Sequence, residues 1–150
     1  MLYFIRTYSI RKRSDYMKRI IVLTLLTIVV FAVGAGFTES EETVLLARTL
    51  YTLAHNESTD TMLALGSVIM NRVDNVWFPD TITEVLMEPH QFAIGAEYND
   101  RSLSVAREVI SGCRTLDRDV VYYAAINSTL CGDTRILVES IGGFGFYKDV

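Results

Sequence analysis

The chain has few of the side chains that bind metal ions. Its 150 residues include only 2 cysteines and 2 histidines, with 2 prolines and 1 tryptophan. His55 and His90 do not lie at ligand spacing from each other or from either cysteine, so the pattern gives no support to a metal site. We predict no metal and no other cofactor.

Basic residues are scarce after residue 36. Six of the 14 basic residues but only one of the 18 acidic residues lie in residues 1–36. Residues 37–150 therefore carry 8 basic and 17 acidic side chains, a net charge of −9. Because proteins bind phosphate backbones through lysine and arginine, this balance argues against nucleic acid as a partner.

The long apolar run of the chain lies near its N-terminus. Residues 17–19 read Met-Lys-Arg, and residues 20–36 are apolar apart from Thr24 and Thr27. A basic start, an apolar stretch and small residues up to Ala35 and Gly36 are typical of a secretory signal peptide. The run also approaches the length of a membrane span, so an uncleaved signal anchor is the alternative.

Both interpretations place the remainder outside the cytoplasm, at the cell wall or anchored to the membrane, because the basic residues precede the apolar run. Residues 1–36 are thus predicted to be an N-terminal tail with a signal peptide or anchor, and residues 37–150 a single domain. Met17 is as natural a start as Met1, and the sequence leaves the choice open.

Helical periodicity dominates residues 37–150. Thr38 with Glu41, Asp60, and Thr81 with Glu84 are predicted to begin three helices. The predicted helices cover about residues 40–55, 60–73 and 81–88, and a fourth begins at Asp100 or Ser102 and ends at Gly112. The residues predicted to face the core include Leu46, Leu50, Leu53, Ala54, Met62, Leu65, Ile69, Val73, Leu103, Ala106, Val109 and Ile110. Gly66 inside a helix predicts close approach of another element.

The C-terminal third has the composition of strands. Val120 to Tyr123 are β-branched and aromatic, and residues 141–147 combine a glycine-rich turn with a short aromatic strand. The predicted fold class is a mostly helical α+β single domain. Cys113 and Cys131 can form a disulfide in an oxidising compartment, while two unpaired thiols remain the alternative.

Several short motifs occur in a fixed order along this domain. They are Ala47-Arg48-Thr49-Leu50-Tyr51, Glu57, Asn71-Arg72-Val73, Phe78-Pro79-Asp80-Thr81-Ile82, Gln91-Phe92, Tyr122-Tyr123, and Ile141-Gly142 with Phe146-Tyr147. In this order and spacing, residues 44–147 resemble the SleB/CwlJ-type cell-wall hydrolases. The resemblance implies a lysozyme-like domain that cleaves peptidoglycan between N-acetylmuramic acid and N-acetylglucosamine, by hydrolysis or lytic transglycosylation.

The resemblance also exposes a departure at the expected acid. The family pattern after Ala-Arg-x-x-Tyr is Gly-Glu-Ala-Arg-Gly-Glu, whose first glutamate is the catalytic acid, and this chain has Leu53 there. Glu57 retains the second glutamate, one helical turn beyond Leu53 and on roughly the same face. Either Glu57 acts as a displaced catalytic acid, or the domain is a non-catalytic protein that binds peptidoglycan or regulates its turnover.

The resemblance implies a set of substrate-binding residues as well: Tyr51, Asn71, Arg72, Gln91, Phe92, Tyr122 and Tyr123. Structural roles are the alternative for Asn71 and Arg72 at a helix end and for Gln91 in a loop. At most one of Tyr122 and Tyr123 should face a cleft, since side chains alternate along a strand. Phe144 replaces a histidine of the family pattern. The implied partner is the peptidoglycan glycan strand, with the membrane added if residues 1–36 stay attached.

Overall fold

The computed structural model describes residues 39–126, 128 and 134–150. Four helices are followed by three strands: α1 Glu41–Ala54, α2 Thr59–Val73, α3 Ile82–Met87, α4 Asp100–Ile110, β1 Tyr122–Ala125, β2 Arg135–Ile141 and β3 Phe144–Asp149. The predicted signal peptide or anchor lies outside these residues. None of the described helices is both long and apolar enough to cross a membrane.

Serine rather than the predicted residues caps the first two helices. Ser40 Oγ accepts a hydrogen bond from the Thr43 N–H at 3.1 Å, and Ser58 Oγ accepts one from the Thr61 N–H at 3.1 Å. The predictions of Thr38 and Asp60 as caps are therefore wrong. Asp60 lies in the first turn of α2, where its negative charge favours the positive end of the helix dipole.

The starts of the other two helices agree with the prediction. Thr81 caps α3, because its Oγ1 accepts a hydrogen bond from the Glu84 N–H at 3.2 Å. Asn99 caps α4 in a reciprocal capping box with Ser102, and the helix begins at Asp100. Gly112 follows its end with a positive φ of 104°, a conformation that glycine adopts without strain.

The core lies between the helices and one side of the sheet. Its fully buried large side chains include Leu46 and Leu50 of α1, Met62, Leu65 and Ile69 of α2, Val105 and Val109 of α4, and Phe146 of β3. Leu53, Val73 and Leu103 are half-buried at its edge. Ile110 is 37% exposed, so its predicted inward position is wrong; it is the last residue of α4, where the helix leaves the core.

Gly66 permits the close approach that the sequence predicted. A Cβ at this position would lie 2.9 Å from Cγ1 of Val109. Because real Cβ atoms do not approach another carbon so closely, a larger residue would require the Val109 side chain or one of the two helices to shift.

The three strands form an antiparallel sheet in the order β1-β3-β2. β1 begins at Tyr122, two residues later than the predicted strand, and the buried Val120 and Val121 lead into it. β2 was not predicted as a strand. Gly142 and Gly143 form the turn between β2 and β3, and Gly142 has a positive φ of 58°.

Candidate functional site

Glu57 lies in the turn between α1 and α2. Helix α1 ends at Ala54 with His55 as its C-cap, so the expectation that Glu57 extends the helical face of Leu53 is wrong. The guanidinium of Arg101 on α4 holds this turn: Nη1 donates to the Glu57 carbonyl at 3.0 Å, and Nη2 donates to the His55 carbonyl at 2.6 Å. One side chain thereby satisfies the carbonyl of the C-cap residue His55 and a carbonyl of the turn that follows it.

The carboxylate of Glu57 points to the hairpin between β2 and β3. The N–H of Gly143 donates a hydrogen bond to Glu57 Oε2 at 3.3 Å. A Cβ at Gly142 would lie 2.5 Å from that same oxygen and 2.5 Å from Thr61 Oγ1. The turn therefore needs glycine to admit the carboxylate, and Glu57 is half-exposed.

Leu53 is the residue that the sequence resemblance places at the catalytic acid of the family pattern. Its side chain is half-buried and packs against the core cluster. A hydrocarbon side chain donates no proton, so position 53 contributes packing alone.

Arg72 is the centre of a second group of predicted site residues. It is 2% exposed, and its Nε donates to the Val121 carbonyl at 2.7 Å while Nη1 donates to Gln91 Oε1 at 2.9 Å. Its guanidinium carbon lies 5.0 Å from the ring centres of Phe78 and Phe92, within the range of cation–π attraction. Burial lowers the pKa of Arg72 below its ordinary value, and the Glu88 carboxylate, 3.8 Å from Nη1, partly opposes that shift.

Asn71 holds the segment that leads into β1. Its Nδ2 donates to the carbonyls of Asp117 at 2.7 Å and Val120 at 3.0 Å, and the residue is 1% exposed. Asn71 and Arg72 thus both bind backbone carbonyls within residues 117–121. The structure gives them an internal supporting role, and their contact with a glycan stays a prediction.

Two groups of aromatic rings meet at Arg72, and we call them together the aromatic cluster: Phe78 with Tyr122, and Phe92 with Tyr123 and Phe144. The ring of Tyr123 stacks on Phe92 with centres 5.5 Å apart and lies 6.0 Å from Phe144. Its hydroxyl donates to the Gln91 carbonyl at 3.0 Å. Burial is the main reason that the pKa of Tyr123 is raised.

Tyr122 has different partners from its neighbour. Its hydroxyl donates to Asp149 Oδ2 at 3.0 Å, and the guanidinium of Arg135 lies 3.8 Å from its ring centre. Burial, followed by the hydrogen bond to Asp149, raises its pKa. Its ring also meets Phe78 edge-on at 6.3 Å, so both tyrosines belong to the aromatic cluster through different contacts.

The structure therefore brings Arg72, Gln91, Phe92, Tyr122 and Tyr123 together. Glu57 is linked to this group through the hairpin alone, since its partner Gly143 is followed in the chain by Phe144 of the aromatic cluster. Tyr51 lies on α1 and stacks on His55 at 5.2 Å. Arg101 was missed from the sequence, and Gly142 and Gly143 were assigned only to a turn.

Two further predictions concern cysteines and metals. Cys113 is exposed, and Cys131 lies outside the described residues, so the disulfide stays a prediction. Across the described ranges 39–126, 128 and 134–150, no group of three or more His, Cys, Asp or Glu side chains could hold a metal ion.

Two solved structures share this architecture. The catalytic domain of the SleB protein of Bacillus cereus superposes with a TM-score of 0.65 at 24% identity, over 75% of this chain and 94% of that domain. The catalytic domain of the germination-specific lytic transglycosylase SleB of Bacillus anthracis gives a TM-score of 0.64 at 24% identity, over 76% of this chain and all of that domain. The domain is thus a lysozyme-like, mostly helical α+β domain, which confirms the predicted fold class.

The sequence comparisons define the family. Residues 56–147 match the model of the cell wall hydrolase family, and the chain belongs to that family, as the motifs predicted. A spore cortex-lytic enzyme of Oceanobacillus iheyensis is 30% identical over an alignment of 112 residues that covers 69% of this chain. The match spans only 40% of the length of that relative.

Proposed function

We propose that this protein cleaves the glycan strand of peptidoglycan between N-acetylmuramic acid and N-acetylglucosamine, with Glu57 as the catalytic acid. The observation that carries the proposal is the placement of the Glu57 carboxylate, which accepts the Gly143 N–H in a turn held by Arg101. Membership of the cell wall hydrolase family supports the substrate class. So do relatives described as a spore cortex-lytic enzyme and a lytic transglycosylase.

The chemistry requires a proton donor at the glycosidic oxygen. A carboxylic acid in a partly dry site supplies that proton near neutral pH. Ordinary hydrolysis uses a second carboxylate, either as the nucleophile or as the base that activates water. In lytic transglycosylation the 6-hydroxyl of the sugar replaces water, so one carboxylate suffices. We therefore propose the lytic route, which leaves an anhydro sugar on the product.

The test is release of soluble fragments from purified wall sacculi. Wild-type protein should release muropeptides that end in an anhydro sugar, and Glu57→Gln should release none because it removes the acid at nearly constant shape. Glu97→Gln is the matched control, since Glu97 is an exposed residue of a loop. Equal release by wild type and Glu57→Gln would remove Glu57 from the mechanism.

Leu53 favours a second candidate function, a non-catalytic domain that binds or regulates peptidoglycan. That candidate predicts that wild-type protein sediments with sacculi and releases nothing. Leu53→Glu would then restore the family pattern and create activity, provided the new carboxylate reaches the cleft from its half-buried position.

We also propose that residues 1–36 export the domain and are either cleaved or kept as an anchor. N-terminal sequencing of the mature protein distinguishes the two, since cleavage would leave a start near residue 36. The net charge of −9 on residues 37–150 disfavours binding to anionic wall polymers, because like charges repel. Affinity for the wall must therefore come from specific contacts with neutral sugar units or from the anchor.

A further inference from the structure

The loop between α2 and α3 exposes two apolar side chains at its tip. Val76 is 90% exposed and Trp77 is 87% exposed. Tryptophan is highly buried on average, so an indole held almost entirely in solvent is unusual. Trp77 is also the one tryptophan of the chain.

Local hydrogen bonds fix this exposure. Asn75 Oδ1 accepts the Trp77 N–H at 3.0 Å, and the Asn75 carbonyl accepts the Phe78 N–H at 3.0 Å. The next residue, Phe78, turns inward, with its ring centre 5.0 Å from the Arg72 guanidinium carbon. The loop is thus attached to the aromatic cluster through Phe78 and presents Trp77 beside it.

An open depression of about 520 Å³ lies against the same loop. The residues that line it are Val73, Asp74, Asn75, Val76, Phe78, Pro79 and Asp80, and Trp77 lies between two of them in the chain. Its volume is within the range of small-molecule sites, and it mixes apolar surface with a few polar groups, as such sites do. Carboxylates and amides can accept hydrogen bonds from sugar hydroxyls, and an indole can cover the apolar face of a sugar ring.

We propose that Trp77 and this depression bind an additional, uncharged N-acetylated sugar unit of the glycan strand, next to the aromatic cluster. The proposal rests on the proposed function, because it assumes a glycan ligand. A sugar suits the loop better than an anionic membrane surface, since residues 73–80 contain two aspartates and no lysine or arginine.

The sole tryptophan makes the test direct. Purified full-length protein is titrated with a tetramer of N-acetylglucosamine while the indole emission is recorded and binding is measured in parallel by calorimetry. We expect the emission to shift to shorter wavelength as the sugar covers Trp77. Trp77→Ala should weaken binding by about three- to tenfold, and Trp77→Tyr should retain most of the affinity. Val150→Ala is the control, since Val150 is as exposed as Val76 but does not line the depression, and it should bind as wild type does.

Three results would overturn the proposal. The first is calorimetric binding with unchanged emission and no loss in Trp77→Ala, and the second is no binding of the tetramer at all. The third is an emission shift only with vesicles of phosphatidylcholine and phosphatidylglycerol, which would assign Trp77 to membrane contact. Fragment release from sacculi is scored separately, so the proposed function can stand if this site fails. If wild type and Glu57→Gln release nothing but the tetramer still shifts the emission, the sugar site stands and the catalytic proposal fails.

Discussion

The N–H of Gly143 donates a hydrogen bond to Oε2 of Glu57 across 3.3 Å, and this contact joins the turn after α1 to the hairpin of the sheet. The two residues are far apart in the sequence, and each lies in an irregular segment between elements. The position of the proposed acid therefore depends on the tertiary structure that holds the turn after α1 and on that which holds the hairpin.

The first prediction concerns the glycine next to that contact. Gly142→Ala should lower fragment release strongly, because the new Cβ would lie 2.5 Å from Glu57 Oε2 and displace it. Gly112→Ala is the matched control: Gly112 also has a positive φ, but a Cβ there would meet nothing within 4 Å. Both variants should lose about 1 kcal/mol of stability from backbone strain. If both retain equal activity, the turn does not position the acid.

Arg101 gives a second prediction about the same turn. Arg101→Lys keeps the charge but replaces two fixed donors with a single flexible ammonium, so the turn around Glu57 should loosen. Since a displacement of 1 Å can cost about 100-fold in rate, fragment release should fall by up to that factor while affinity for sacculi changes little. Arg107→Lys, on the same helix and paired with Glu39 on the surface, serves as the control. Equal activity of the two variants would contradict the role of Arg101.

Arg72 should matter for stability as well as for the site. Arg72→Met keeps an apolar stem but removes the donor to the Val121 carbonyl and leaves that carbonyl buried. We expect a loss of about 1 to 3 kcal/mol in the free energy of unfolding, measured by urea denaturation. Tyr123 fluorescence or nuclear magnetic resonance signals should also shift, since Gln91 loses the contact that holds its loop. A variant as stable as wild type would mean that Arg72 does not anchor β1.

Gly66→Ala tests the contact between α2 and α4. Overpacking against Val109 should cost about 1 to 3 kcal/mol, partly offset by about 1 kcal/mol of better helix propensity. In a double-mutant cycle, Val109→Ala should remove the clash, so the two substitutions should couple by at least about 0.5 kcal/mol. If the stability changes of the two single variants simply add in the double variant, the helices separate without strain.

The raised pKa of Tyr123 predicts a decline of stability in alkali. Below a pH of about 10 the phenol of Tyr123 is protonated in both the folded and the unfolded protein, so its contribution to the free energy of unfolding is fully present. As the pH rises above that value the unfolded chain ionises first, so the free energy of unfolding falls until the folded pKa is reached. Tyr123→Phe should show a shallower decline between about pH 9 and pH 11. If the free energy of unfolding falls with pH at the same rate in both proteins, the loss of stability in alkali comes from another group, for example Tyr122.

The helices could be predicted from the sequence because their signals are local. Periodic apolar residues gave the four helices, and Gly66 correctly indicated a close neighbour. The predictions of Thr38 and Asp60 as caps were wrong because several polar residues lie near the start of each helix and can act as caps. The observed caps are the serines among them. Strand β2 was missed since all but its last residue are exposed, which removes the alternation of buried and exposed positions that marks a strand.

The candidate site was only partly predictable for a different reason. The order of the motifs suggested a set of site residues, and four of them, Gln91, Phe92, Tyr122 and Tyr123, come together around a fifth, Arg72. Sequence spacing could not show that α1 ends before Glu57, or that Arg101 and Gly143 hold the turn and its carboxylate, because those contacts join distant segments. The internal bonds of Asn71 likewise depend on where residues 117–120 lie.

Helix α2 connects the two halves of the candidate site. Thr61, in its first turn, is the neighbour of Gly142 beside Glu57, and Arg72, in its last turn, supports the aromatic cluster. At 1.5 Å per residue, these two positions are separated by about 16 Å along the helix axis. Under the proposed function, this separation predicts that an extended oligosaccharide engages both ends at once, whereas a single sugar occupies only one.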